Sequence, residues 1–406
     1  MSAASPTPSV QGLERTPGAP RALLPALARG WALFGIAVVN VGYFAYPGAT
    51  GYTAGGLVTA WDRAAYLLVM ALFALKSYSL FGFMFGAGFG QQMLGAQRQG
   101  QPFGGRYLRR VAGLAVLGVV NVVALFHGDI LLVYASLGLL LWLFRDSTPK
   151  RLVRWAAGLY TVQCLLLAGL AALLAMWQAF APEEMAQELA RTPELLAEAR
   201  AGFTAPGFAE VAAHRVRTWA DDLPAMLVLQ GTGAMAFIML GLAALRSGLL
   251  NDPAHPVWRR CRRVWLPVGL VFSAIGAALL AGAEHMLHPQ TMAGMVLLTL
   301  ASPAASAGYL GLLALWAQRP ASPLRDAVAR AGSASLSAYL LQGLLLSLVF
   351  CGYGLGWYGQ AGAAVCVALG ASAGAASIAA MSLWRRRFHH GPFEALLRRW
   401  TRLGGR

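Results

Sequence analysis

The chain has 406 residues, 58% of them hydrophobic and only 12% charged, with a formal net charge of +16 and mean hydropathy +0.57. A soluble domain is about 45–50% apolar and about 25% charged, so there is too little polar surface here for a water-soluble particle and a lipid-facing exterior is implied. A basic excess in a soluble protein points to nucleic acid; the placement of the arginines, given below, assigns it to membrane topology and excludes that partner.

Only helices and closed barrels satisfy every backbone group in hydrocarbon. The apolar runs are long and continuous, without the alternation of barrel strands. The predicted fold is all-α, a polytopic transmembrane helix bundle of about ten spans with both ends in the cytoplasm. Residues 1–28 are expected to be a disordered cytoplasmic tail, Pro-, Ser-, Ala- and Gly-rich over 1–20. The first apolar run lacks a cleavage site and reads as an uncleaved anchor.

Ten spans follow, at 30–46, 65–92, 111–126, 129–145, 155–177, 224–245, 265–283, 292–316, 335–354 and 361–384. The third and fourth are short and meet at His127-Gly128-Asp129, a tight hairpin expected at the outer surface. Two membrane halves result, 29–177 and 224–384, with an extracytoplasmic segment at 178–223 and a basic amphipathic tail at 385–406. With the N-terminus inside, 26 of the 32 Lys and Arg residues fall on cytoplasmic connections. Arg63, Arg191, Arg200, Arg215 and Arg217 fall outside, and Lys76 is buried in the second span. That asymmetry is what the positive-inside rule demands.

The outer segment is acidic, with Glu183, Glu184, Glu188, Glu194, Glu198 and Glu210. It reads as a solvated helical loop resting on the membrane, or more sharply as a cap over an outward-facing site. Phe388 to Leu403 reads as an interfacial helix with Arg facing lipid headgroups. Cys164, Cys261, Cys351 and Cys366 include no C-x-x-C pair and no His at metal-ligand spacing, so neither a zinc site nor a disulfide framework is indicated.

Ionisable groups inside a membrane are costly and mark candidate sites. Lys76 lies about 18 Å into its span at 1.5 Å per residue. It is either half of an ion pair with Asp62 or Asp129, or an anion-binding group for a phosphorylated or carboxylated ligand. Gly82, Gly86 and Gly90 recur at four-residue spacing, which favours close helix packing; a glycine-lined groove for a phosphate-bearing cofactor is the alternative. His127 beside Asp129 is a candidate general base, because imidazole titrates near neutrality and a carboxylate fixes its orientation. Asp129 equally suits a helix cap. Glu284, His285 and His288 form an outer cluster that reads as solvated. Asn40, Asn121, Gln163, Gln230, Tyr339 and Gln342 lie at membrane depth and read as interhelical hydrogen-bonding groups.

Four stretches, ARGWALFGIAVVNVGYF, ALKSYSLFGFMFGAGFG, HGDILLVYASLGLLLWLFR and SASLSAYLLQGLL with the late GPFEALLRRWT, resemble the YeiB-like family, also called domain of unknown function family 418. The resemblance carries Arg29, Gly30, Asn40, Lys76, Gly86, Gly128, Asp129, Tyr134, Tyr339, Gln342, Gly391, Pro392 and Glu394 over as family-like positions. Ala26, Asn121, Ser333 and Ala338 stand where the family pattern has other residues, which puts the ordinary family chemistry in doubt. The opening helix is similar to that of membrane acyltransferases of the heparan-glucosaminide acetyltransferase group. That likeness implies transfer from a cytoplasmic acyl-CoA donor to a glycan or lipid acceptor at or beyond the outer face of a bacterial cytoplasmic (inner) membrane. In that scheme His127 and Asp129 are catalytic; Lys76, Gly86, Arg106, Arg109 and Arg110 hold the donor; Asn40, Asn121, Tyr339 and Gln342 contact substrate. A transporter or flippase for an anionic or lipid-linked substrate, with Lys76 as its binding cation, is the alternative, and a noncatalytic membrane protein the third.

Overall fold

The structure, a computed structural model, describes residues 23–48, 51–283, 285 and 287–402. Among these residues helix is the only regular secondary structure. The N-terminal half runs α1 (Leu23–Ala45), α2 (Ala60–Leu72), α3 (Lys76–Arg98), α4 (Phe103–Ala124), α5 (Leu131–Trp142) and α6 (Pro149–Phe180). The outer segment folds as α7 (Pro182–Ala190), α8 (Thr192–Phe203) and α9 (Phe208–Ala225). The C-terminal half runs α10 (Gly231–Arg246), α11 (Pro256–Arg260), α12 (Leu266–Ala281), α13 (Pro289–Gln318), α14 (Pro323–Gly332), α15 (Ser335–Phe350) and α16 (Ala363–Arg387), with α17 (Pro392–Arg402) as the tail.

Each of the ten expected spans contains a helix, but the helices are not all full crossings. Among the described residues, eight stretches are long and apolar enough to cross a membrane, α2 with α3 and α9 with α10 each forming one. The α14–α15 pair, bent by 92°, makes a ninth. The 12-residue α5 reaches only about 18 Å at 1.5 Å per residue, short of a hydrocarbon core about 30 Å thick. It still returns the chain to where α4 began, since the Tyr107 hydroxyl donates to the Gly138 carbonyl at 2.8 Å and Trp142 stacks on Phe103 and Tyr107. The N-terminal boundary also moves: the tail expected over 1–28 is already helical at Leu23, and the rest of it lies outside the described residues.

The two kinds of connection segregate to opposite ends of the bundle. At the arginine-rich end, Arg109 Nε donates to the Thr401 carbonyl (3.2 Å), Arg330 Nε to Ser382 (3.1 Å) and Arg385 Nε to Ser333 (2.9 Å). At the other end, Ala364 N–H donates to Asp62 (2.9 Å), Gly359 N–H to the Ala45 carbonyl (2.8 Å) and Gly352 N–H to the Phe203 carbonyl (2.9 Å). This is the packing that the charge alternation requires.

The span at 65–92 is interrupted at the end of the apolar run Met70 to Leu75, just before Lys76. Leu75 takes φ = 63°, a costly conformation for a side chain with a Cβ, and separates α2 from α3. The carbonyls freed at the end of α2 find donors nearby: Met70 accepts Lys76 Nζ at 3.0 Å and Leu72 accepts the Tyr309 hydroxyl at 2.7 Å. Lys76 thus closes a broken helix, where an ammonium also complements the helix dipole. Gly86, read as packing or groove, packs: a methyl there would be driven into the Ile238 carbonyl of α10.

Candidate functional site

The largest cavity described, about 560 Å³, opens at the arginine-rich end between α3, α4, the α14–α15 bend and α17. Arg29, Arg106, Arg110 and Arg398 line it, against a single carboxylate, Glu394. That carboxylate is committed elsewhere: it accepts the Leu336 N–H at 2.7 Å and the Ser337 N–H at 3.3 Å, capping the N-terminus of α15. The cavity therefore presents a surplus of positive charge. Arg106 donates to the side chains of Gln99 (3.4 Å) and Gln101 (3.0 Å), and Arg110 makes no hydrogen bond or salt bridge to the described residues. One wall is aromatic, with Phe89 edge-on to Phe103 and Tyr107 at 5.4 and 4.8 Å. Gly88 and Gly95 of α3 also line it, and a methyl on Gly95 would meet open space.

Of the residues expected to hold a donor, Arg106 and Arg110 line this cavity. Arg109 instead turns to the tail helix, where Trp400 Nε1 also donates to its carbonyl at 2.8 Å. Lys76 is 0% exposed and lines none of the cavities described; the ion pair with Asp62 or Asp129 does not form, because its ammonium is turned to Met70. Asp62 accepts from Thr59 and Ala364.

The hairpin is placed differently from expectation. Gly118 of α4 lies against the Asp129 carboxylate and Leu132, so Asp129 sits about 15 residues, roughly 22 Å, along α4 from its arginine-rich end. Asp129 is thus at membrane depth and fully buried, and not at the outer surface. Its oxygens accept from Asn121 Nδ2 at 2.7 Å and from the Leu132 N–H at 2.9 Å. It caps α5 as one reading held, and makes no hydrogen bond to His127. His127 is packed between Phe126 and Phe203, with ring centroids at 5.4 and 5.1 Å. Burial, then the neighbouring Arg215 and His214, push its pKa down to about 3, far from that of a general base.

Asn40, Asn121, Tyr339 and Gln342, widely separated in sequence, converge on one small cavity of about 10 Å³, room for a single water. Asn40 accepts from the Tyr78 hydroxyl, and Gln342 Nε2 donates to the Leu33 carbonyl (3.2 Å) and Ser377 (2.9 Å). The Asn121 Oδ1, Tyr339 hydroxyl and Gln342 Oε1 atoms are buried without a partner. Buried polar groups are ordinarily paired, so three orphans around one void mark a polar centre. It touches Asp129 through Asn121.

The outer segment docks through Arg215, which is 1% exposed and not in a solvated loop. Its guanidinium donates to the last carbonyls of α4, Val123 (3.2 Å) and Ala124 (2.8 Å), and to Cys351 and Tyr353. Phe203, Val211, Cys351 and Tyr358 form the small core beneath, which covers His127. Of the outer His cluster, His288 caps α13 by accepting the Gln290 N–H at 3.1 Å and His285 meets its ring edge-on at 5.4 Å; Glu284 lies outside the described residues. The tail helix does not lie wholly on lipid, since Leu397 is buried and Trp400 packs on Gly113.

Sequence reasoning missed Arg398 as a cavity residue and Arg215 as a buried clamp. The amphipathic spacing of the tail hinted at the first; nothing local marked the second. It also left Gly391-Pro392-Phe393-Glu394 without a role. Glu394 reaches back to α15, the Phe393 N–H donates to Ser337 at 3.0 Å, and a side chain at 391 would collide with that carboxylate.

Residues 244–404 match the family described as protein of unknown function, DUF418. Over 388 residues, 92% of each chain, the protein is 27% identical to the uncharacterised protein YxaH of Bacillus subtilis. Over 382 residues, 92% of this chain and 94% of the relative, it is 28% identical to the uncharacterised protein YeiB of Escherichia coli. No solved structure matches. With a C-terminal match to DUF418, end-to-end similarity to two bacterial relatives and a bundle of membrane-length helices, the chain is a multi-pass membrane protein similar over most of its length to the YeiB-like proteins.

Proposed function

We propose that this protein is an integral membrane acyltransferase of the bacterial cytoplasmic membrane, drawing an acyl-CoA donor into the arginine-lined cavity. The observation that carries the reading is the depth of Asp129, one turn of α4 beyond the cavity floor. Leu114 lines that floor and Gly118, which touches Asp129, is four residues or about 6 Å further on. A carboxylate at that depth removes the need for an acyl group to cross the whole bilayer before it meets a base.

In this scheme Arg106 and Arg110, with Arg29 and Arg398, hold the donor's phosphates, since guanidinium forks match phosphate oxygens. The Phe89–Phe103–Tyr107 wall accommodates the apolar arm. Asp129 takes the proton of an acceptor hydroxyl as its oxygen bonds the acyl carbon. The carbon–sulfur bond breaks, and the proton returns from Asp129 to the leaving sulfur. His127 is left to packing, because a buried imidazole beside Arg215 resists protonation.

The broken α2–α3 helix is the feature that favours a transporter, in which such breaks carry substrate. Here Lys76 is turned into the break and away from any cavity described, which removes the cation that a transporter for an anionic substrate would use. The test is acyl-CoA binding and turnover by the purified protein in nanodiscs. Arg106→Ala with Arg110→Ala should weaken binding at least about tenfold, the loss of one charge-assisted contact being about 1.4 kcal/mol or more. Asp129→Asn should bind donor but abolish transfer. Absence of acyl-CoA binding at millimolar concentration removes the reading.

A further inference from the structure

A second cavity, of about 70 Å³, lies at membrane depth between α3, α5, α6, α10 and α13. Its mouth is built by the segment Met226–Gln230, a π-type turn that joins α9 to α10. Pro224 lacks the N–H that would continue a regular ladder there, and widened turns of this kind recur at functional sites.

The lining is uncharged and mostly apolar, with a few polar side chains set into it. Tyr160 donates to the Thr299 carbonyl (2.6 Å), the Ser79 and Ser302 hydroxyls pair at 3.0 Å, and Gln163 Nε2 donates to the Leu229 carbonyl (2.8 Å). What remains is one acceptor: Gln163, only 8% exposed, holds its Oε1 in the cavity wall against Gly233 without a hydrogen-bond partner. The vacant acceptor calls for a donor, and the absence of charge among the lining residues calls for a neutral one. The space takes a hydroxyl and a carbon or two, and is too small for a sugar ring.

The surroundings say how such a group arrives. Along α6 only 11% of the apolar window is buried, and Val162, Leu165 and Leu166 face outward, as do Leu227 and Val228 on the π-type turn. Gln230, at the mouth, is exposed on that same surface. A mostly apolar notch with a few polar groups, set in outward-facing apolar helices, fits a molecule already dissolved in the bilayer.

We infer that this notch is a lateral binding site for the hydroxyl head of a membrane-dissolved lipid alcohol, which donates to Gln163 Oε1 while its chain stays in lipid. The notch shares a wall with the arginine-lined cavity: Tyr134 lines the first and stacks at 5.7 and 5.3 Å on Phe81 and Phe85, which line the second. If the acyltransferase reading holds, the bound alcohol is the acyl acceptor. The binding itself does not rest on that reading.

The full chain in phosphatidylcholine nanodiscs is irradiated with hexadecanol carrying a diazirine beside the hydroxyl, without acyl-CoA. Peptides of α6 and the 226–230 turn should be labelled about fivefold more than by the methyl ether of the same probe, the worth of one hydrogen bond of about 1 kcal/mol. Gln163→Leu should remove that difference, and Gln230→Leu, at an exposed position that leaves the fold intact, should reduce it. Equal labelling by alcohol and ether in the natural protein, a comparison that needs no variant, overturns the site. Acetyl-CoA is then added and ester formation followed. Labelling without ester keeps the notch and removes its role as acceptor site, whereas ester without labelling of these helices removes the notch and keeps the enzyme.

Discussion

Gly86 and Gly241 meet where α3 crosses α10, and each faces the carbonyl three residues before the other: Gly86 lies on Ile238 and Gly241 on Phe83. Reciprocal Cα–H···O contacts of this kind belong to parallel helices crossing closely. Both helices therefore run in the same direction, as the charge alternation requires of the second and sixth spans. A methyl at either glycine has no room. Gly86→Ala or Gly241→Ala should lower stability by about 1–3 kcal/mol, the usual cost of overpacking, while Gly95→Ala, facing open space, should be neutral. Thermal melts in one detergent check the contrast.

Lys76→Met should leave the Met70 carbonyl without its donor at the helix break. A loss of about 1–3 kcal/mol follows for an unsatisfied buried acceptor, with partial recovery in Lys76→Gln. Binding of acyl-CoA should be unchanged, because Lys76 does not line the arginine-rich cavity. A titration with fluorescent acyl-CoA alongside the melts separates the two effects.

Glu394→Gln should cost about 1–2 kcal/mol through loss of a charged cap at the start of α15. Gly391→Ala should destabilise as well, since its methyl would collide with that carboxylate. In both variants proteolysis of α17 should accelerate, and gel analysis of timed digests would show it.

His127 gives the outer segment an acid sensitivity of known sign. The unfolded imidazole takes a proton near pH 6.5, whereas in the folded protein it stays neutral until about pH 3. The unfolded state binds more protons between these values, so stability falls as pH drops from about 6.5 toward 3. His127→Phe, which keeps the ring between Phe126 and Phe203, should flatten that fall. Hydrogen exchange of α8 and α9 at pH 7 and pH 5 measures it.

Much of this architecture was legible because arginine placement is a long-range signal that local structure cannot erase. The break at Leu75 was not, since the residues leading into it, Met70 to Leu75, are all apolar and include no Gly or Pro, and Tyr309, which serves the freed Leu72 carbonyl, lies 237 residues away. The height of Asp129 was hidden for a related reason: sequence marks a turn at His127-Gly128-Asp129 but not that α4 overshoots it and lets the chain fold back along Gly118. The convergence of Asn40, Asn121, Tyr339 and Gln342 was reached only through the resemblance, which grouped residues that periodicity cannot relate.

The clasp made by Arg215 bears on biogenesis. Val123 and Ala124 wait 92 and 91 residues for the side chain that closes their helix end. A nascent chain halted before α9 leaves those carbonyls without their guanidinium, so the hairpin of α4 and α5 matures only once α9 has been made and docked on it.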